Sequence, residues 1–395
     1  MNVAIINSYF IPIFKGGAEN SINHLIRELR KCNNINNLIV ISLSPVHKEL
    51  TLIEDNGIML CYIPYLYNIC PLTQNRSKLD KILWYLEDFH STKSFDIVLN
   101  LLVKYEIDIV NTNNLAGFSS SLLKFIHSKG YKIIHTIRDY YFMCLKGNLN
   151  HVGCNNKQGI ICNTLTSLRK YNSNYVYAVV GNSKYILDLH LKNNYFKNSK
   201  IKRYIYNGFS RPDEIKTKKN KFYRIGYIGR ICAEKGVELF IKSSLKVAPD
   251  HEIIIAGDGD VNYISKLKEK YTKVKFLGHV PSSEFYNSVD FVVVPSLWPE
   301  PLARTVFESF FYGLPVIGSN RGGIPESIED NINGFIFNPE IENDLGSKIA
   351  KLAYDNKLYS DMRAKSFMFA NKFDIENTVN NYITLYQEVF NDENP

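Results

Sequence analysis

Short apolar runs alternate with amphipathic stretches of helical period along almost the whole chain, and this alternation limits the fold more than any other feature. Val3 to Ile6 leads into Ala18 to Lys31, where Ile22, Leu25, Ile26 and Leu29 form one stripe. Leu38 to Leu43, a run near Met59 to Ile63, Ile107 to Val110, Tyr131 to Thr136, Val176 to Val180 and Lys202 to Tyr206 follow as further strands. The polar segment Ser210 to Asn220, with Pro212, Lys216, Lys218 and Lys219, reads as a linker. The pattern then restarts at Tyr223 and continues through His251 to Ala256, Val274 to Val280, Phe291 to Val294, Pro315 to Gly318 and Phe335 to Pro339. Strands that return through helices pair in parallel, so an α/β fold with two doubly wound parallel sheets is expected. With 395 residues each half is long enough for its own core. The expected domains are 1–207 and 208–372, with a last amphipathic helix in 373–395 that carries Val379, Ile383, Tyr386 and Phe390.

The stretch from Phe291 to Gly334 concentrates the chemistry. A buried strand runs into a loop broken by Pro295, Pro299 and Pro301, which holds Glu300. A helix is expected from about Leu302, ending at Gly313 and Pro315. A second strand then leads to the turn Arg321-Gly322-Gly323. Loops of such a unit open on the carboxyl edge of the sheet, where ligands of these folds bind. If the whole interval were helical, Glu300 and Glu308 would stand roughly 12 Å apart along the axis. That exceeds the separation of about 5–9.5 Å in a glycosidase carboxyl pair. It suits a grip on the two ends of a nucleotide sugar, with the helix N-terminus available to phosphate between them. The alternative makes Glu300 a capping carboxylate and Glu308 a solvated helix residue.

The segment Glu300-Pro-Leu-Ala-Arg-Thr-Val-Phe-Glu308, with Gly313-Leu-Pro-Val and Gly322-Gly323-Ile-Pro-Glu after it, resembles the Glu-x7-Glu signature of the family-4 retaining glycosyltransferases. That resemblance implies the GT-B fold: two Rossmann-like domains facing across a cleft, with the last helix crossing back to the first domain. It implies that Glu308 hydrogen-bonds the ribose and Glu300 a sugar hydroxyl, while amides around Leu302, Ala303, Arg304 and Thr305 meet phosphate or sugar. The segment Gly229-Arg230-Ile-Cys-Ala-Glu-Lys235-Gly236 is similar to the family's loop beneath the diphosphate. Two cations ahead of a helix are suited to that charge. The resemblance also places Gly257 and Val280, at the ends of two consecutive expected strands, in the donor-side set. With Arg230 and Lys235 opposite the diphosphate, no divalent metal and no cofactor is expected. Asp258 and Asp260, which resemble a metal motif of another glycosyltransferase fold, read as a strand-end turn.

The first half carries the acceptor-side expectations. Ser8 to Glu19 contains Lys15-Gly16-Gly17-Ala18-Glu19 ahead of a helix, where a dinucleotide fold would place three spaced glycines. The missing third glycine and the long loop argue against NAD. The paired glycines allow close approach or positive φ. In the family it resembles, Gly16 and Gly17 lie under the donor diphosphate and Glu19 beside the acceptor. The strand ending His135-Thr-Ile-Arg138-Asp139 departs from the family's Thr-x-His-Asp, because Arg138 occupies the position of the His. Arginine stays protonated and cannot act as a base, but it can hold phosphate or acceptor oxygens. Arg138 and Asp139 are therefore expected at the rim of the site. His135 is either an acceptor-side residue or a structural strand-end histidine. Residues 142–172, rich in Gly, Asn and Cys, read as a long irregular insert and a candidate acceptor lid.

Charge and cysteine usage narrow the partners. Residues 1–207 carry 24 Lys and Arg against 13 Asp and Glu, whereas residues 208–395 carry 23 against 26. A basic first half fits an anionic membrane surface or a lipid diphosphate, and equally a merely solvated face. No nucleic-acid motif accompanies it. The amphipathic pattern in 78–104, around Leu83, Trp84, Leu86 and Leu101, fits a membrane or acceptor surface or a core stripe. No apolar run approaches the roughly 20 residues of a membrane span, and no secretory signal opens the chain. A cytoplasmic protein, peripheral on the inner face of the cell membrane, is the expectation. The seven cysteines are widely spread, as in a reduced protein. Cys144, Cys154 and Cys162, at spacings of ten and eight, lack the C-x2-C pairs of a zinc site.

The resemblance thus implies a retaining transferase that moves a sugar from a UDP- or GDP-sugar to a saccharide or polyprenyl-diphosphate-linked acceptor in envelope polysaccharide synthesis. A nucleotide-sugar epimerase or hydrolase of the same fold, or a non-catalytic sugar-nucleotide-binding subunit, are the other readings.

Overall fold

The computed structural model describes residues 1–13, 16–66, 77–151, 154, 157–215 and 223–392, the side chains of residues 78, 81, 82 and 90 excepted. The expectations on Lys15, Lys216, Lys218 and Lys219 lie outside the described residues. The chain forms two compact units, Met1–Gly208 with Ile375–Pro395, and Phe209–Asp374.

The first unit is built on eight strands: β1 (Asn2–Asn7), β2 (Asn37–Ser44), β3 (Thr51–Asp55), β4 (Ile58–Pro64), β5 (Ile109–Thr112), β6 (Ile133–Ile137), β7 (Ala178–Gly181) and β8 (Ile201–Tyr204), in the order β3-β4-β2-β1-β5-β6-β7-β8. All neighbours are parallel except β3 and β4. That antiparallel edge hairpin was not expected. Its turn is Asn56-Gly57, with φ of 52° and 76°, and positive φ at both central residues is the conformation that matches strand twist in a two-residue hairpin. The helix Ile375–Asn391 lays Val379, Tyr382, Leu385, Tyr386 and Val389 into the same core as Val3, Ile5, Leu25 and Val40. Residues 160–172 are helical rather than irregular, as Ile160–Leu165 and Ser167–Asn172. Burial of Cys162, Arg169 and Asn172 outweighs the loop-like composition.

The second unit holds β9 (Arg224–Ile228), β10 (Glu252–Ala256), β11 (Lys275–Gly278), β12 (Phe291–Val294), β13 (Val316–Ser319) and β14 (Gly334–Phe337), in the order β11-β10-β9-β12-β13-β14. Every pairing in it is parallel. The winding direction reverses between β9 and β12, which is where an open sheet leaves a crevice at its carboxyl edge. The reversal in the first sheet falls between β1 and β5. Among the described residues, no helix is long and apolar enough to cross a membrane.

Candidate functional site

In the second unit, the loops after β9 and β12 meet at the reversal point. Gly236 has φ +70°, and a Cβ there would collide with the Pro295 carbonyl. The Leu297 and Trp298 amides donate to the Glu234 carbonyl at 2.9 and 3.2 Å. The Arg230–Lys235 loop is thereby held against the Pro295–Trp298 loop. Lys235 Nζ lies 2.5 Å from Glu300 Oε1 and 4.9 Å from the centre of the Trp298 ring. Arg230 pairs with Glu234 at 3.0 Å, and its side chain is 64% exposed. Each expected cation therefore already faces a carboxylate.

Glu300 is fixed from behind. Gly322, at φ +60°, packs so closely on the Glu300 backbone that a Cβ would not fit, and the Gly323 amide donates to the Glu300 carbonyl at 2.7 Å. The helix begins only at Arg304, with Ala303 at its N-cap and no side-chain cap. The helical rise cannot apply between Glu300 and Ala303, which corrects the separation expected from spacing alone; Pro301 and the buried Leu302 and Ala303 form the bend. The first turn of this helix, at Arg304 and Thr305, carries no side-chain cap. Glu308 is buried, not solvated. Its Oε1 accepts from Arg304 Nη2 at 2.6 Å and from Nε at 2.8 Å, and its Oε2 accepts from Tyr286 at 3.0 Å. A carboxylate has about four acceptor positions, so Glu308 retains capacity for a further hydrogen-bond donor. Burial, with the Glu308 charge beside it, holds the Tyr286 phenol well above its ordinary pKa and hence a proton donor.

The Gly257 amide donates to the Gly278 carbonyl at 2.8 Å, tying the ends of β10 and β11 together. Gly229, at the end of β9, donates to the Ala256 carbonyl at 3.1 Å. Val280 follows on the loop after β11, half-buried. Asp260 accepts from the Tyr263 amide at 2.8 Å as a helix cap, and Asp258 faces His279 at 3.3 Å on the surface.

In the first unit, Arg138 and Asp139 follow β6 and enter a polar network. Arg138 Nε donates to Asn113 Oδ1 at 2.8 Å, and Nη1 to Asn207 Oδ1 at 2.5 Å. Asp139 accepts from Asn114 Nδ2 and from the Tyr141 amide, the latter at 2.8 Å. Asn113 and Asn114, at the end of β5 beside the reversal point, had not been singled out. The polar stretch Asn111-Thr112-Asn113-Asn114, directly after Ile109-Val110, was the available signal. Glu19 lies in the first turn of the helix Gly17–Leu29. Burial raises its carboxyl above the usual range, and the nearby Asp139 charge adds to the rise while Arg138 opposes it. Gly16 is extended at φ −117°, so positive φ is not what that glycine supplies.

His135 lies in the core rather than on the acceptor side. It is 2% exposed, its Nδ1 stands 2.8 Å from Thr112 Oγ1, and its ring stacks on Phe196. Burial, then the neighbouring His190 and Arg138, pushes its pKa down to about 3, so the ring is neutral at physiological pH. Trp84, 8% exposed, is likewise no surface anchor; its indole N–H donates to Tyr65 Oη at 2.5 Å. On the same helix, however, Leu79, Leu83 and Leu86 are 63%, 44% and 52% exposed. The cysteine region also differs from expectation. Sγ of Cys144, Cys154 and Cys162 and a ring nitrogen of His151 all lie within 4.8 Å of one another.

Comparison with known proteins follows the same lines. Residues 210–367 match the family model of glycosyl transferases group 1. An uncharacterized 42.6 kDa protein in the cps region of Klebsiella pneumoniae is 33% identical over 330 residues, covering 82% of this chain and 87% of its own. Among solved structures, sucrose-phosphate synthase from Thermosynechococcus elongatus superposes with a TM-score of 0.78 at 17% identity, covering 98% of this chain and 99% of its own. Anabaena HepE in complex with UDP-glucose gives 0.69 at 18% identity, again over 98% and 99%.

Proposed function

The chain belongs to the group 1 glycosyl transferases and is a transferase enzyme, and from that premise we propose that it moves a sugar, with retention of anomeric configuration, from a nucleoside-diphosphate sugar to a saccharide or lipid-linked saccharide of a capsule-type envelope polysaccharide. The observation that carries this reading is the meeting of Arg230, Lys235 and Glu300 at the reversal point between β9 and β12, with Glu308 on the helix that follows. The second unit would hold the donor. Arg230 and Lys235 would exchange their carboxylate partners for the diphosphate of the bound donor, whose charge grows as its bond to the anomeric carbon breaks; cations already in place at that moment stabilise the charge. Glu308 takes the ribose, Glu300 a sugar hydroxyl, and the backbone amides at Leu302–Thr305 a phosphate or sugar oxygen.

The first unit would receive the acceptor, around Glu19, Arg138 and Asp139. Arg138 orients oxygens there rather than moving a proton. The basic excess of residues 1–207 and the exposed Leu79, Leu83 and Leu86 support an acceptor at an anionic membrane surface. The cps-region relative supports the polysaccharide class.

The test is a panel of UDP- and GDP-sugars scored by thermal stabilisation, since a ligand at 100 times its Kd contributes about 2.7 kcal/mol. The donor found is then incubated with lipid-linked oligosaccharides and the product's anomeric configuration read by NMR. Transfer with inversion refutes retention. Epimer or free sugar formed without an acceptor favours the epimerase or hydrolase, and binding without turnover favours the non-catalytic subunit.

A further inference from the structure

We propose that Cys144, His151, Cys154 and Cys162 bind one zinc ion in a closed, structural Cys3His site that holds the loop beyond Asp139. Three thiols and an imidazole are the donor set of structural zinc, and four protein ligands leave no open position for catalysis. The pattern is C-x6-H-x2-C-x7-C. Its close pair is the His151-x2-Cys154 step, invisible to a search for paired cysteines.

The geometry fits a tetrahedron before any ion is added. With zinc–sulfur bonds of about 2.3 Å and a zinc–nitrogen bond of about 2.0–2.1 Å, the edges of the tetrahedron are about 3.8 Å between sulfurs and about 3.6 Å from nitrogen to sulfur. His151 Nε2 stands 3.2 Å from Cys144 Sγ and 3.5 Å from Cys162 Sγ, and no pair of ligand atoms exceeds 4.8 Å. All three cysteines are free thiols, each no more than 4% exposed. His151 is half-buried.

The site has a mechanical task. Between β6 and the helix Ile160–Leu165, no regular strand or helix is formed among the described residues. A metal there ties three points together: the turn at Cys144, the turn at Cys154 and the helix carrying Cys162. Cys144 connects back to the acceptor side, because its amide donates to the Tyr140 carbonyl at 2.8 Å and the Tyr141 amide donates to Asp139. Zinc would thus position Asp139 through the backbone without touching a substrate. Metal binding itself stands apart from the proposed reaction.

The experiment is elemental analysis of the full-length protein purified without chelator, with about one zinc per chain expected. A mercurial reagent should release that zinc, detected by a chromogenic chelator, as three thiols react together. Cys162→Ser and His151→Ala should lose the metal, whereas His151→Cys, which completes a four-cysteine set, should keep it. Should the Ser and Ala variants fail to fold, Co²⁺ exchanged into the wild-type protein provides the second measurement, with thiolate charge-transfer and tetrahedral d–d bands expected. Wild-type protein without stoichiometric metal, a Co²⁺ form lacking thiolate bands, or a disulfide among the three cysteines overturns the proposal. Metal bound with the donor and acceptor chemistry absent would refute the proposed function alone.

Discussion

Lys235 Nζ and Glu300 Oε1 lie 2.5 Å apart across 65 residues of sequence. The ammonium expected to meet a diphosphate is held by the carboxylate expected to meet the sugar. A donor arriving at this pair would exchange one for the other, placing phosphate on Lys235 and freeing Glu300 for a hydroxyl. The pair keeps both side chains in place until then, and it makes their roles separable by substitution.

Glu300→Gln should leave nucleoside-diphosphate affinity unchanged and lower kcat roughly 10²–10³-fold, the cost of removing one preorganised electrostatic group. Glu308→Ala should instead weaken nucleotide binding by about 1.5–3 kcal/mol, the worth of a hydrogen bond to a charged group. Calorimetry on both variants decides. Equal affinities in wild type and Glu308→Ala would remove the ribose role.

Turnover should need no added Mg²⁺ or Mn²⁺ and should survive brief EDTA treatment, because in the proposed reading Arg230 and Lys235 would meet the charge of the bound diphosphate. Asp260 is engaged as a helix cap, which leaves it poorly placed as a ligand. Loss of activity restored by Mg²⁺ or Mn²⁺ would bring Asp258 and Asp260 back as ligands. Restoration by Zn²⁺ alone would instead point to the Cys144–Cys162 cluster.

Asp88→Ala should be severely destabilising. Asp88 and Arg169 form an ion pair at 2.9 Å whose side chains are 0% and 1% exposed, and Asp88 also accepts from Tyr141 and from the Gly117 amide. Removing one partner strands a buried charge, at a cost of about 3–5 kcal/mol. Asp55→Ala, which breaks the surface pair with Arg27, should cost at most about 1 kcal/mol. Urea unfolding of the two variants makes the comparison, and similar losses would contradict it.

Acid should weaken the first unit through its histidines. Burial holds His135 and His190 at about 3 and about 4 in the folded chain. The unfolded chain takes up these protons below about pH 6.5, so it binds more protons than the native state and stability falls as pH drops from there. Each histidine contributes a loss of about 2 kcal/mol by about pH 5. Glu19, Asp88 and Asp139, raised by burial, act in the opposite direction. The histidine share is therefore read as a difference: His135→Asn should be less acid-sensitive than wild type between about pH 7 and about pH 5. Parallel pH profiles would show that His135 titrates normally.

Membrane docking should depend on salt and on the exposed leucines. Wild type should co-sediment with vesicles containing anionic lipid, less so as salt shortens the Debye length below about 8 Å, and a Leu79, Leu83 and Leu86 to Ser variant should pellet less. Wild type remaining in the supernatant at low salt would make a soluble acceptor the better reading.

The sequence by itself determined the parallel sheets, because a strand followed by an amphipathic stretch has one way to bury both apolar faces, and each such unit is local. The same locality made the Gly229–Gly236 loop and the Glu300–Glu308 segment legible: the spacing of charge, glycine and proline is preserved when a short loop folds. The hairpin at Asn56-Gly57 was legible too, but was missed. What only the tertiary structure decided are partnerships across long intervals. Arg138 reaches Asn207 over 69 residues, Arg169 reaches Asp88 over 81, and Lys235 reaches Glu300 over 65. His135 could be either a site residue or a core residue until the rings of Phe142 and Phe196 closed on it. Cys144, His151, Cys154 and Cys162 show no recognised ligand spacing, and they converge because the chain around them turns back on itself. Side-chain partners at such distances are chosen by which strand ends the sheet order brings together, and no local pattern of residues carries that order.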